Sequence, residues 1–141
     1  MWSYGCILFE LYMGYPLFPG EDEKEHMAMM MEVKGIPPRS VLARASRRKI
    51  FFDDEYQPII TANSKGKLRQ PGAKKLPEIM NCPDADFVDF IEVSIVSMTL
   101  QKCTEWKVEL RLNPEQAFSH PFITKAVYEL KGMRVQSETT N

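Results

Sequence analysis

Residues that could carry out catalysis or bind a metal are few and far apart in this chain. Its two histidines, His26 and His120, are not accompanied by an HExxH pattern or by a cluster of Ser, His and Asp. The three cysteines, Cys6, Cys82 and Cys103, lack both the close spacing of a zinc site and the density of a disulfide framework. We therefore predict no catalytic, cofactor-binding or metal-binding residue in this sequence, and a reducing compartment, either cytoplasmic or nuclear.

Basic residues form the other group that could bind a ligand. They are concentrated in two neighbouring runs of the chain: Arg44, Arg47, Arg48 and Lys49, followed by Lys65, Lys67, Arg69, Lys74 and Lys75. Such runs can bind nucleic acid or a nuclear-import receptor, but the chain has 18 basic and 19 acidic residues and a formal net charge of −1. We favour a solvated basic loop balanced by acidic helices, with no nucleic-acid partner.

The opening segment is predicted to be a helix buried inside a larger body. Between Trp2 and Met13 only Ser3, Gly5 and Glu10 are neither apolar nor aromatic, and the apolar residues lie on all sides of a helical wheel. No helix-capping residue precedes the run, so we expect further protein upstream. The run lacks the early Lys or Arg that begins a signal peptide. It is also shorter than the ~20 residues of a membrane span, so no membrane partner is expected.

A second helix is predicted over residues 23–34, because acidic residues suit its first turn and Gly35 suits its end. Its methionines Met27, Met30 and Met31 recur at helical spacing, which is more typical of a core than of an adaptable binding surface. A third helix, SVLARASRRKIFF, is predicted to be capped by its first residue, Ser40.

Residues 53–83 are rich in Pro, Gly and Lys, and we predict an irregular surface insert there with a weak hairpin signal at 63–66. Helical periodicity resumes at Asp84, with Phe87, Phe90 and Ile91 on one side.

The C-terminal part is predicted to hold two more helices. Asn113 is a good N-cap and Pro114 fits the first helical position, so a short helix begins there and ends at His120. The following helix is predicted to end near Leu130, and residues 131–141 are predicted to be a flexible tail.

Two motifs resemble the eukaryotic protein kinases. The segment WSYGCILFELYMGYPLFPGEDE, with Trp2, Ser3 and Gly5, resembles the family's x-W-S-x-G-C-I-L-x-E-L followed by P-L-F-x-G. The family's later R-x-x-P-x-x-A-x-x-H-P-F pattern is matched by Arg111, Pro114, Ala117, His120, Pro121 and Phe122. Between them, GKLRQPGAKKL resembles the dual-specificity tyrosine-regulated (DYRK) branch of the CMGC kinases.

This resemblance implies a mainly α fold, the C-terminal half of a kinase C-lobe with helices F to I, in which residues 1–130 form a partial kinase domain. The helix that begins at Trp2 would be helix F, and Met1 would follow directly on an invariant Asp of the family. Arg111 would be the family's buried arginine, whose glutamate partner lies upstream of this segment. The family's W-D-P-x-x-R is changed here, with Lys107 and Val108 in place of Asp and Pro.

The resemblance also implies a function that this chain cannot perform by itself. A complete relative would transfer the γ-phosphate of ATP, with magnesium, to serine, threonine or tyrosine hydroxyls of protein substrates. The Gly-rich loop, strand lysine, catalytic loop and DFG that hold ATP and magnesium are not in this sequence, since neither Asp86-Phe87 nor Asp89-Phe90 is followed by Gly. We expect no activity from the chain as written. The alternative is a non-catalytic module that binds a kinase or a substrate through the helix face at 27–31.

One segment has no place in the family pattern. About nine residues, Val93 to Gln101, separate DFIE from KCTEW, which are contiguous when these nine are removed. The segment is either an insertion that lengthens the helix begun at Asp84 or a retained intron, because Glu-Val-Ser and Leu-Gln can be encoded with a starting GT and a closing AG.

Overall fold

The computed structural model describes residues 2–95 and 113–138, with side chains over 2–92 and 113–130. Within those ranges the chain forms the helices α1 (Trp2–Met13), α2 (Glu23–Lys34), α3 (Arg39–Leu42), α4 (Arg48–Phe51), α5 (Leu76–Met80), α6 (Ala85–Ile95), α7 (Pro114–Phe118) and α8 (Pro121–Glu138). This described part contains no strand, only an isolated antiparallel bridge between Phe52 and Pro58. The helical fold is the one predicted for a late kinase C-lobe. None of its helices is long and apolar enough to cross a membrane.

Helix α1 has the predicted bounds, but it is buried on one side only. It packs against α6, and Gly5 and Phe9 are its buried residues. The opposite side is open, with Leu11 77% and Ile7 53% exposed. The helix ends at Gly14, which adopts φ +78° and donates its N–H to the carbonyl of Glu10. No described element covers this second face, so burial of α1 inside a larger body stays a prediction.

Helix α2 confirms both the predicted bounds and the core role of its methionines. The Asp22 side chain accepts the N–H of Glu25 at the start, and Gly35 ends the helix at φ +72°. Met31 is buried beside Leu42 and Phe52, and we call these three residues the second core. Other methionines of α2 pack around the two cores: Met27 against the second, and Met29 and Met30 against the first, defined below.

The predicted single helix from Ser40 is wrong, because the segment forms two one-turn helices, α3 and α4, separated by a turn at 43–47. The break has a packing reason. In one continuous helix, Leu42 and Phe52 would lie ~15 Å apart along the axis. The turn lets both side chains pack with Met31.

The first core lies where α1, α5 and α6 meet, and its buried members are Phe9, Leu17, Phe18, Leu76, Met80, Val88 and Ile91. The insert 53–83 thus departs from a surface role at its end, where Leu76 and Met80 of α5 are each 2% exposed. The weak hairpin signal corresponds to a turn whose Asn63 side chain accepts the N–H groups of Lys65 and Lys67.

The C-terminal helices begin where predicted. The Asp84 carboxylate accepts the N–H of Phe87 at the start of α6, and Asn113 and Gln116 form a reciprocal capping box at the start of α7. Helix α8 does not end near Leu130, since it continues through Gly132 to Glu138. A single glycine costs a helix only ~1 kcal/mol and ends it mainly where the backbone turns left-handed.

Several predictions fall wholly or partly outside the described residues. Helix α6 continues along the backbone of Val93 to Ile95, but the rest of the segment to Gln101 is not described. Arg111, Lys107 and Val108 also lie outside the described ranges. The flexibility of 131–141 stays a prediction.

Candidate functional site

The two motifs that resemble kinases lie at opposite ends of the sequence, and the structure brings them together on α6. The ring of Tyr4 on α1 meets the edge of Phe90 at a centroid distance of 6.3 Å. Phe90 in turn contacts His120 at 5.0 Å and Phe122 at 5.4 Å. Phe90, 1% exposed, is therefore the link between the Trp2 motif and the His120 motif. We call this contact region the motif junction.

His120 is held from both sides of its ring within the motif junction. Its Nε2 lies 3.1 Å from Oδ2 of Asp89 on α6, and its Nδ1 accepts the N–H of Phe122 at 3.3 Å. Because Nδ1 accepts a hydrogen bond, the neutral ring carries its proton on Nε2 and donates it to the Asp89 carboxylate. Both ring nitrogens are thus engaged, and the imidazole joins α6 to the start of α8. The isolated histidine of the sequence has a structural role.

An apolar cavity of about 190 Å³ lies beside the motif junction. It is lined by Tyr4, Phe90, Pro114, Ala117, Phe118 and Ile123. A cavity with these walls offers contacts to apolar groups and no arrangement of acids, bases or nucleophiles.

The other motif residues have varied surroundings. Trp2 stacks on Phe18 at a centroid distance of 6.1 Å and packs against the first core. Ser3 is exposed, whereas Gly5 is buried in the middle of α1. Pro121, exposed, begins α8. Trp2 and Gly5 thus pack within the fold, whereas Ser3 and Pro121 face solvent. The structural role predicted for the four residues together stays a prediction.

Apart from the motif junction, the structure contains a cluster of charged side chains that was not predicted from the sequence. Arg69, in the insert, places Nη1 2.9 Å from the carboxylate of Glu32 and Nη2 3.1 Å from that of Glu25. Lys74 binds the same Glu32 oxygen at 3.2 Å, and the Asn63 amide donates to Glu25 at 2.7 Å. We call these five residues the Arg69 cluster. It ties the insert to one face of α2.

The centre of the Arg69 cluster is buried, whereas its Lys74 is 42% exposed. The side chains of Arg69, Glu25 and Glu32 are 10%, 8% and 7% exposed. The pKa of Glu25 is lowered to about 2 by the backbone N–H of Glu21, by Asn63 and by Arg69. Burial opposes the charge of Arg69, but its hydrogen bonds to the two carboxylates outweigh that effect and raise its pKa. Glu25 and Arg69 therefore both favour their charged forms.

The solvated basic loop is the wrong description of Arg69. One signal was available, because Glu25 and Glu32 are seven residues apart and so share a face of α2. A buried pair of carboxylates on one face requires a cationic partner. Which of the nine basic residues supplies it depends on the path of the insert.

Comparison with known proteins finds relatives among the DYRK-family kinases. No family model matches the chain. The chain is 46% identical over 123 residues to Dual specificity tyrosine-phosphorylation-regulated kinase 2 of Drosophila melanogaster, and these residues make up 87% of the chain. It is 45% identical over 123 residues to kinase 4 of the same name from Homo sapiens, and 40% identical over 124 residues to the DYRK-family kinase pom1 of Schizosaccharomyces pombe. The chain is homologous to part of the DYRK-family kinases.

The match covers most of this chain but little of the DYRK-family relatives. The matched part amounts to 16%, 22% and 11% of the fruit-fly, human and fission-yeast proteins, respectively. This match supports the kinase resemblance of the two motifs. The packing of α2 disfavours the alternative, a non-catalytic interaction module. The methionines that motivated that module contact the two cores and do not form a free binding face.

Proposed function

We propose that this chain forms the late C-lobe of a DYRK-type protein kinase domain. The complete domain transfers the γ-phosphate of ATP to hydroxyl groups of protein substrates, and ATP and magnesium are held by parts of the domain that the relatives have outside the matched segment. In this proposal the chain supplies no catalytic residue. Its contribution is mechanical, since α1 and α6 form a rigid base on which the rest of the domain is assembled.

The motif junction is the observation that carries the proposal. Tyr4, Phe90 and His120 come from three separate parts of the sequence and form a continuous row of ring contacts. The two sequence motifs thus belong to one packing unit, as expected of a kinase C-lobe core. The exposed apolar side of α1 supports the same conclusion, because a helix that is apolar all round is normally packed on both sides.

A segment exchange tests this function directly. The 123 residues of human kinase 4 that match this chain are replaced by the corresponding residues of this chain, and transfer of phosphate from ATP to a protein substrate is measured. We expect the exchanged kinase to be active, because segments that are 45% identical should adopt the same packing. A second exchanged kinase carries Phe90→Asp, which buries a charge in the motif junction and should abolish activity.

The exchanged protein is also checked for folding by its thermal transition. An exchanged kinase that folds with a single transition but transfers no phosphate would overturn the proposal. Equal activity of the exchanged kinase with and without Phe90→Asp would show that the motif junction does not support the active site.

A further inference from the structure

The turn between α3 and α4 combines an exposed hydroxyl with several basic side chains. Residues 43–47 are all exposed and lie outside both helices. Ser46 is the only hydroxyl residue among them. The stretch 39–49 contains five basic residues and no acidic residue: Arg39, Arg44, Arg47, Arg48 and Lys49.

This turn is accessible to another protein, because residues 43–47 are all exposed. Each flanking helix is only four residues long, and helices of that length are marginal without tertiary packing. The buried anchors on either side are Leu42 and Phe52, 4% and 2% exposed. Between these anchors Arg48 is held over the ring of Tyr56 at 4.3 Å, whereas residues 43–46 are exposed and carry no contact with either core.

We propose that Ser46 is a phosphorylation site for an arginine-directed serine/threonine kinase, so that this chain is a substrate in its own right. In the reaction Ser46 Oγ attacks the γ-phosphorus of magnesium-bound ATP, the new O–P bond forms as the bond to ADP breaks, and the hydroxyl proton passes to the catalytic carboxylate of the modifying kinase. An acidic substrate groove complements Arg44 and Arg47 on the two sides of the serine. This inference is independent of the proposed function, because it needs no activity of this chain.

Two other serines lie close to basic residues and differ in structure. Ser40 lies in α3, where its carbonyl accepts the Nε–H of Arg44 at 3.3 Å. Ser64 lies in the turn at 63–66, which is fixed by two hydrogen bonds to the Asn63 side chain. Ser46 is itself in a turn, since the Arg48 N–H donates to the Ala45 carbonyl at 3.2 Å. It differs from the other two serines because it is exposed outside a helix and has arginines on both sides, at positions 44 and 47.

Phosphorylation of Ser46 would change the contacts of α2. Arg47 now forms an exposed ion pair with Glu23, in the first turn of α2. A phosphate carries about −1.5 to −2 charge at neutral pH and competes with the single charge of Glu23 for the adjacent Arg47. The modification thus acts on the pair that links the turn to α2.

The test treats the full 141-residue chain with magnesium ATP and the catalytic subunit of cyclic-AMP-dependent protein kinase, and the modified residue is located by mass spectrometry. We expect phosphate on Ser46, loss of more than about nine-tenths of the incorporation in Ser46→Ala, and a change of less than about twofold in Ser40→Ala. Arg44→Gln should lower kcat/KM about tenfold, because one charge contact with the acidic groove is lost.

A synthetic peptide of residues 38–50 removes any dependence on folding. It should be phosphorylated on Ser46, and an unmodified peptide would overturn the proposal. Phosphate on Ser40 or Ser64 of the full chain, with Ser46 unmodified, would overturn it as well. An acid-directed kinase, casein kinase 2, serves as the control and should leave Ser46 unmodified, because its groove favours acidic substrates.

Discussion

At the scale of single residues, burial separates ion pairs that stabilise the fold from pairs that do not. The pair between Arg47 and Glu23 is exposed, with side chains 60% and 64% accessible. Such a pair contributes little, because water and salt screen it. The pairs of Arg69 are nearly closed to solvent. Arg69 is therefore the basic residue on which the position of the insert depends.

Replacing Arg69 by Met should destabilise the chain strongly. The substitution keeps most of the buried side-chain volume but leaves the carboxylate of Glu32 without its nearest cation. We expect the free energy of unfolding to fall by about 3 kcal/mol, the loss that follows removal of one partner of a buried pair. Urea unfolding followed by circular dichroism measures the change, with Arg47→Met as the matched control that should leave the midpoint nearly unchanged.

Adding Glu32→Gln to the Arg69→Met variant should recover part of the loss, because in Arg69→Met alone Glu32 has only the half-exposed Lys74 as a cationic partner and its buried charge is no longer fully compensated. Equal midpoints for Arg69→Met and Arg47→Met would show that the Arg69 cluster contributes no more than a surface pair.

The Arg69 cluster should also make stability depend on acid. The pKa of Glu25 is about 2 in the folded chain against an ordinary value of 4.5. A lowered folded pKa gives stability that is complete above the unfolded pKa and is lost as pH falls towards the folded pKa. We expect the urea midpoint of the natural chain to fall between about pH 5 and pH 2 more steeply than that of Glu25→Gln.

The Glu25→Gln chain should be the less stable of the two at neutral pH and should approach the natural chain in acid. Glu78→Gln, at a carboxylate that is 66% exposed, is the control and should follow the profile of the natural chain. Parallel profiles for the natural and Glu25→Gln chains would refute the attribution of the acid dependence to the lowered pKa of Glu25.

At the scale of elements, the sequence predicted the helix boundaries that are set by neighbouring residues. The bounds of α2 followed from acidic residues before it and Gly35 after it, and the start of α7 from Asn113. The break between α3 and α4 could not be predicted, because it depends on Met31, which is distant in sequence. The prediction that Arg69 is solvated was wrong for the same reason, since its partners on α2 lie far away along the chain.

The connection from α1 to α2 provides a test of close packing between elements. A Cβ atom added at Gly20 would lie 2.5 Å from the backbone nitrogen of His26, inside α2. Because backbone cannot move aside as a side chain can, we expect Gly20→Ala to lower the free energy of unfolding by about 1–3 kcal/mol, as overpacking does. Urea unfolding measures it.

Gly66→Ala is the matched control for this substitution. Gly66 has φ +75° but no atom within 4 Å of the added carbon, so the variant tests backbone strain without a clash, at a cost of about 1 kcal/mol. A Gly20→Ala chain as stable as the natural chain would show that the start of α2 can shift freely.

At the scale of the whole molecule, the proposed function assigns this chain support and no chemistry. The chain should therefore fail to bind magnesium ATP, since no residue in its sequence matches those that hold phosphate or metal in kinases. We expect the thermal transition of the 141-residue chain to be unchanged by magnesium ATP, and we expect no phosphate transfer to a generic protein substrate. The segment-exchanged kinase is the positive control. A nucleotide-dependent rise in Tm of the chain alone would contradict the prediction, because a ligand that binds the folded state must stabilise it.

The final prediction concerns the nine residues from Val93 to Gln101, which interrupt the family spacing. The described part of α6 ends at Ile95, inside this segment. The segment contains four β-branched residues that are only moderate helix formers: Val93, Ile95, Val96 and Thr99. Removing the nine residues restores DFIEKCTEW, and the residues at both ends permit codons with an intron's GT and AG. We predict that spliced transcripts lack these nine codons. Sequencing transcripts across Asp89 to Trp106 tests this, and uniform retention would refute it.

A second test uses the segment-exchanged kinase with and without the nine residues. The shortened segment should give at least the activity and Tm of the longer one, because it leaves the contact between α6 and the His120 motif unbroken. A loss of both would show instead that the nine residues are part of the working fold.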